Sequence, residues 1–142
     1  ISLNGMVSGF FKFDGAAALG SKVYFAPRNV DVVGVLDTAP STGGPAQFST
    51  ISLNASLRRD YKFSGAVVVG SKIVFAPYDA DVIGVLDYAA NDGAGVISTV
   101  SLQEKVGVDG KFSGAAVVGD KVYFAPFNAS IDISISFFVG LA

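Results

Sequence analysis

The middle third of the chain reads as four short apolar runs divided by turn residues. Gly65 to Val69 closes on Gly70-Ser71, and Lys72 to Ala76 ends at Pro77, which has no N–H to give to a sheet ladder. Val82 to Leu86 passes through Asp87 into a loop, and Val96 to Leu102 follows the turn-rich Asn91-Asp92-Gly93-Ala94-Gly95. No run has the length or the 3.6-residue period of a helix, so all four are predicted as strands. The first is small and apolar on both faces (Ala66, Val67, Val68 and Val69; Ala16, Ala17, Ala18 and Leu19 in an earlier copy), as suits an inner strand crowded between neighbours. The fourth alternates, with Ser49, Thr50 and Ser52 set around Ile51 and Leu53, which predicts an outer strand with one wet side.

The pattern recurs at a fixed period. Phe11-Lys12-Phe13-Asp14-Gly15-Ala16 returns as Tyr61-Lys62-Phe63-Ser64-Gly65-Ala66 and again as Lys111-Phe112-Ser113-Gly114-Ala115, at spacings of 50 and 49 residues. Residues 11–37 and 61–87 are identical at 16 of 27 positions, and 111–126 match 62–77 at 12 of 16, which makes the period the main determinant of the fold. The predicted organisation is one unit over residues 1–142, with repeats at about 11–60, 61–110 and 111–142 plus 1–10.

Over essentially the whole chain the repeat resembles those of β-propellers, kelch-like in its length. It lacks the double glycine and tryptophan of kelch repeats and the Trp-Asp of WD repeats. What recurs instead is Ser-Gly-Ala, then Phe-Ala-Pro, then Asp-Val-x-Gly-Val-Leu-Asp (Asp31 to Asp37, Asp81 to Asp87), similar to the tandem propeller repeats of algal and other protist proteins of unassigned activity. The resemblance implies an all-β propeller of four-stranded antiparallel blades, about three per chain.

Three blades do not close a ring. Ile1-Ser2-Leu3-Asn4 is identical to Ile51-Ser52-Leu53-Asn54, so the chain is expected to open on a fourth strand, while the third copy ends at its third, Ile131 to Ser136. Two arrangements follow: a head-to-tail homodimer of six blades, each chain lending residues 1–4 to the third blade of the other, or a fragment of a longer propeller. The apolar end Phe137-Phe138-Val139-Gly140-Leu141-Ala142 departs from the repeat, and Phe137, Phe138 and Val139, with Ile1 and Leu3, are the expected interface residues.

Charge narrows the function classes. Only 15% of residues are charged against 51% hydrophobic, an apolar balance that predicts a surface partly covered by other copies or other proteins. A net charge of −2 and no basic run beyond Arg58-Arg59 argue against nucleic acid, and no stretch is apolar over the length of a membrane span. Without histidine or cysteine, Ser-His-Asp and Cys-His catalysis, the commonest zinc sites and any disulfide framework are excluded. No cofactor, metal site or catalytic residue is expected. Asp60, Glu104 and Asp109 fall in or near the inter-blade loops, where they do not suggest a channel acid. The acids Asp31, Asp37, Asp81 and Asp87 are expected to satisfy turn amides, and the third copy replaces the series with Ser130 and Ser136. Starting at Ile1 rather than Met, the chain is expected to be processed or truncated, with a targeting segment removed and a secreted or organelle-luminal setting.

Two ligand-facing features remain. After Phe-Ala-Pro the residue varies while its surroundings do not: Arg28-Asn29, Tyr78-Asp79 and Phe127-Asn128. An aromatic ring beside an amide or acid can stack on a sugar and bond its hydroxyls, one site per blade, although these positions equally serve as plain turn residues. Asn54-Ala55-Ser56 and Asn128-Ala129-Ser130 match the N-glycosylation pattern, and a glycan on Asn128 would compete with binding there. The function expected from the sequence is therefore a non-enzymatic scaffold that associates with itself or with another subunit. A lectin-like propeller is the alternative.

Overall fold

The computed structural model describes residues 2–3, 5–91, 94–102 and 106–137, the side chain of residue 56 excepted. Eleven strands form three antiparallel sheets among these residues. Blade 1 runs β1 (Phe13–Leu19), β2 (Lys22–Pro27), β3 (Val32–Asp37) and β4 (Gln47–Ser52) in spatial order. Blade 2 repeats it with β5 (Phe63–Val69), β6 (Lys72–Pro77), β7 (Val82–Asp87) and β8 (Val96–Ser101). Blade 3 has β9 (Phe112–Val118), β10 (Lys121–Pro126) and a short β11 (Ser134–Ser136). The strands predicted within the three repeats form, each first strand starting two residues earlier than expected because Phe63 still pairs with Pro77 across a bulge that ends at Ala66. A 3-10 turn at Ala55–Leu57, which the periodicity did not foreshadow, lies between blades 1 and 2.

The inner strands lie against one another, as the small residues of the first run predict. Glycine is required here. Gly15 has φ +85 and a Cβ on it would stand 2.7 Å from the Gly65 Cα; a Cβ on Gly65, at φ +98, would stand 3.0 Å from the Gly114 Cα. The backbones of successive blades therefore touch at the bulge of each inner strand.

Side chains interleave between the sheets in two layers. Phe63, Ile73, Phe75 and Leu86 of blade 2 pack on Tyr24, Ala26, Val33 and Val35 of blade 1, and on the other side Val74, Ala76, Ile83 and Val85 meet Phe112, Val122 and Phe124 of blade 3. Leu53 with Leu57, and Leu102 with Val106, bury one side of each inter-blade linker, and Val7 is buried at the matching place before blade 1. Every strand of blade 2 except β8 is thus covered on both faces, which accounts for the high apolar content of the repeat.

Blade 3 departs from the pattern. Its third strand is shorter than the expected Ile131 to Ser136, since among the described residues no fourth strand lies beside it to hold residues 131–133 in register; a groove of about 390 Å³ is lined there by Val100, Leu102 and Ile131 to Ile135. Ile133 stands where blades 1 and 2 have Gly34 and Gly84, whose Cβ atoms would meet the rings of Phe13 and Phe63 at 2.9 Å. Of the expected N-terminal strand, Ile1 and Asn4 lie outside the described residues, and Ser2 and Leu3 are not in a strand. Leu3 instead borders a groove on blade 1 with Phe13, Phe25, Leu36 and Phe48. Phe137 is half-buried against the blade 2–blade 3 core, its N–H donating to the Asp120 carbonyl at 2.8 Å. Phe138 and Val139 lie outside the described residues. No helix among the described residues is long and apolar enough to cross a membrane.

Candidate interaction site

The loops joining second to third strands and the linkers between blades lie at one end of the sheets, and a continuous ladder of backbone hydrogen bonds crosses all three blades there. Arg28 N–H donates to Lys12 C=O (3.0 Å), Lys62 N–H to Arg28 C=O (3.0 Å) and Tyr78 N–H to Lys62 C=O (2.8 Å). Lys111 N–H then donates to Tyr78 C=O (2.7 Å) and Phe127 N–H to Lys111 C=O (2.9 Å). The repeat produces this ladder because Lys12, Lys62 and Lys111 each precede the first strand by one residue, while Arg28, Tyr78 and Phe127 each follow Pro at the end of the second.

Side chains lock each step. Asn29 Oδ1 accepts the Tyr61 N–H at 2.9 Å, and Asp79 Oδ1 accepts the Gly110 N–H at 2.7 Å. The N–H groups accepted there belong to residues in the left-handed region, with φ 52 at Tyr61 and 62 at Gly110. One residue on, Lys62 and Lys111 are buried, at 0% and 1% exposure, and each crosses to the preceding blade: Lys62 Nζ lies 3.2 Å from Asp31 Oδ1 and Lys111 Nζ 3.0 Å from Asp81 Oδ1. Lys62 Nζ also donates to Arg59 C=O, and Lys111 Nζ to Asp79 C=O at 3.1 Å. A buried ammonium is tolerated only with such partners.

The variable positions form a stacked strip. The Arg28 guanidinium bonds the Asp14 carboxylate of its own blade and lies over the Tyr61 ring (5.0 Å) and the Tyr78 ring (5.3 Å), and Tyr78 packs on Phe127 with centroids 5.9 Å apart. The strip ends at Phe127, a residue 60% exposed. The structure thus brings Arg28, Tyr78 and Phe127 together, while the side chains of Asn29 and Asp79 are engaged in the seams between blades. Asn128 Nδ2 donates to Asp109 C=O at 3.0 Å.

The acids divide into two roles. Asp37 Oδ1 accepts the Ala39 N–H at 3.0 Å and the Ser21 hydroxyl at 3.1 Å, and Asp87 Oδ1 accepts the Ala89 N–H at 3.2 Å, as expected of turn acids. Asp31 and Asp81 bind the next blade's lysine instead, a long-range role that the sequence reading missed. Its one signal was the pairing of an invariant Lys before the first strand with an Asp four residues after Pro in two of the three copies. The exchange of Asp14 and Arg28 for Ser64 and Tyr78, or Ser113 and Phe127, was a second signal of contact, since the acid occurs only where its basic partner does. No cluster able to hold a metal ion occurs among the described residues.

Asp87 sits directly opposite Lys72, 2.5 Å from its Nζ, and the hydrogen bond from Lys72 holds its carboxyl below the ordinary carboxylate value of 3.8. With the folded value depressed, the pair stabilises the fold above that pH and the stability is lost as pH falls through the lower, folded value. Lys72→Met is therefore expected to flatten the acid limb of a stability-versus-pH curve from about pH 4 downward. Parallel wild-type and mutant curves in urea titrations across that range would show the pair to be silent.

No family model matches the sequence, and no curated relative does. Among solved structures, glutaminyl cyclase from Myxococcus xanthus, a β-propeller, superposes with a TM-score of 0.52 at 15% identity, over 86% of this chain and 47% of the other. The fold is that of a β-propeller. At that identity the likeness reaches the fold alone, and three blades span about half the length of the matched propeller.

Proposed function

We propose that this chain is a non-enzymatic propeller module whose role is association with further blades, as a self-assembling unit or as a subunit of a larger assembly. The observation that supports it is the state of blade 1's outward face. Phe13, Val23, Phe25 and Leu36 occupy the positions of Phe63, Ile73, Phe75 and Leu86, all fully or almost fully buried in blade 2, yet here they are only half-covered, with Phe13, Phe25 and Leu36 lining an apolar groove of about 200 Å³. Phe10 and Phe11, in the segment leading into β1, are exposed as well, at 87% and 66%. A contiguous apolar face of this kind is a docking surface more often than a resting one.

The same end of the sheets offers less to a sugar. The Tyr78 ring is stacked between Arg28 and Phe127, and Asn29 and Asp79, the groups suited to bond hydroxyls, already hold the linkers of the next blade. Glutaminyl cyclase is an enzyme, but fold likeness alone selects no activity.

Equivalent substitutions in the two blades test the proposal. Phe75→Ser is expected to cost about 4 kcal/mol, because it empties a buried site and places a hydroxyl there, whereas Phe25→Ser is expected to cost about 1 kcal/mol or less. The folded wild-type chain should bind a dye such as ANS at this face, and Phe25→Ser should abolish the signal with little change in melting temperature. Equal losses of stability from the two substitutions would make the face part of the fold of the isolated chain and remove the basis for association.

A further inference from the structure

The two interior seams define what one blade asks of the blade before it. The later blade supplies three donors: the N–H of the left-handed residue, the N–H of the lysine and the lysine Nζ. The earlier blade supplies Asn29 or Asp79 Oδ1, the carbonyl of Arg28 or Tyr78, and the carboxylate of Asp31 or Asp81. Blade 1 carries the same donor set on its open side. Phe11 holds the left-handed conformation at φ 48, and Lys12 Nζ bonds Gly9 C=O at 2.5 Å as Lys62 bonds Arg59 C=O. Among the described residues, however, Lys12 has no carboxylate partner, and it is half-buried where Lys62 and Lys111 are enclosed.

The open side of blade 3 keeps Asn128 at the place of Asn29 and Asp79 but loses the rest of the matching half on β11 and at the seam acid. Asp132 stands where Val33 and Ile83 are buried, Ser134 where Val35 and Val85 are buried, and Ser130 replaces the seam acids Asp31 and Asp81. The alternation Ile131, Ile133, Ile135, Phe137 against Asp132, Ser134, Ser136 makes β11 polar on the outward side of blade 3, beside the exposed Val118 and Tyr123 of β9 and β10. Seating blade 1 of a second copy on it would press Phe13 and Phe25 toward a carboxylate with no cation to receive it, and would offer Lys12 a hydroxyl in place of a charge.

Resting on the association role proposed above, we infer that blade 1 receives a partner blade of the type of blades 1 and 2, and not the third blade of a second copy of this chain. That partner is a four-stranded antiparallel blade with an apolar inward face of aliphatic side chains and an Asn or Asp two residues after its Phe-Ala-Pro proline. Two residues further on it carries an aspartate, which closes on Lys12.

The test converts blade 3 into that partner. Sedimentation velocity is run on the wild-type 142-residue chain, on S130D/D132V/S134V, and on the same triple variant with K12M, each confirmed folded by circular dichroism. The wild type should remain a 14.6-kDa monomer through the micromolar range, and the triple variant should form dimers or larger head-to-tail species. K12M should weaken that assembly by about tenfold or more, which separates seam formation from unspecific apolar aggregation. If the triple variant does not fold, S130D/D132V, which alters fewer exposed positions, should show the same change more weakly. Wild-type chains that already join blade 1 to blade 3, and are weakened by K12M, would overturn the inference while leaving the association role intact. A folded triple variant that stays monomeric, or one whose assembly ignores Lys12, would overturn the inference, and the monomeric result would also count against the association role.

Discussion

Gly15→Ala is expected to lower the stability of the chain by about 3 kcal/mol, through two costs that no repacking of side chains relieves. The residue is held at φ +85, where a Cβ is strained, and that Cβ would lie 2.7 Å from the Gly65 Cα, which is backbone and cannot turn aside. Either the bulge at the start of β1 flattens, breaking the pairing that resumes at Ala16 with Phe25, or blades 1 and 2 move apart and loosen the layer between them. Gly114→Ala is the internal comparison: it lies at φ +150 with nothing within 4 Å of its Cβ, so it should cost only what its dihedral costs, about 1–2 kcal/mol. Urea melts of the two variants separate the explanations. Equal losses would show that the dihedral, and not the blade-to-blade contact, makes glycine necessary.

Lys62→Ala should be nearly as damaging, at about 3 kcal/mol, even though it removes a charge from the interior. The lysine stem is wholly enclosed between blades 1 and 2, so truncation leaves a void, and the ammonium is the link between Asp31 of one blade and the Arg59 carbonyl of the next. Asp31 is half-exposed and can turn to water, which keeps the cost of orphaning it small. Lys62→Met preserves the stem and deletes the charge. A Met variant as stable as wild type would show that Lys62 acts by filling space, and one close to the Ala variant would show that the inter-blade ion pair carries the effect. The comparison bears on Lys12, which has the same place in blade 1.

Blade construction was legible in the sequence because each of its rules is local. A period of about fifty residues, runs of five to seven apolar residues, Pro at the end of each second strand and glycine pairs at the turns are enough to place β1 to β10, since strand pairing within a hairpin is fixed by its turn. The small residues of Gly65 to Val69 also marked the inner strand correctly, because only small side chains allow two backbones to meet.

What joins blades was not legible. Asp31 read as a turn acid and Asn29 and Asp79 as groups facing a ligand, because their partners Lys62, Tyr61 and Gly110 lie 31 or 32 residues away and nothing local announces the pairing. Only the packed structure decides which side chains of a loop point outward and which reach the next blade. It also decides the two open faces. Leu36 and Asp132 are simply one more apolar and one more acidic residue in strand-like runs, until the alternation of a pleated strand is anchored to a neighbour. Then Leu36 stands on a face shaped like an interior one, and Asp132 on a face turned to water. Sequence alone determined the blades and their number in this chain; the order of burial between them, and with it the unequal character of the two ends, came from tertiary packing, because burial is a property of neighbours and not of residues.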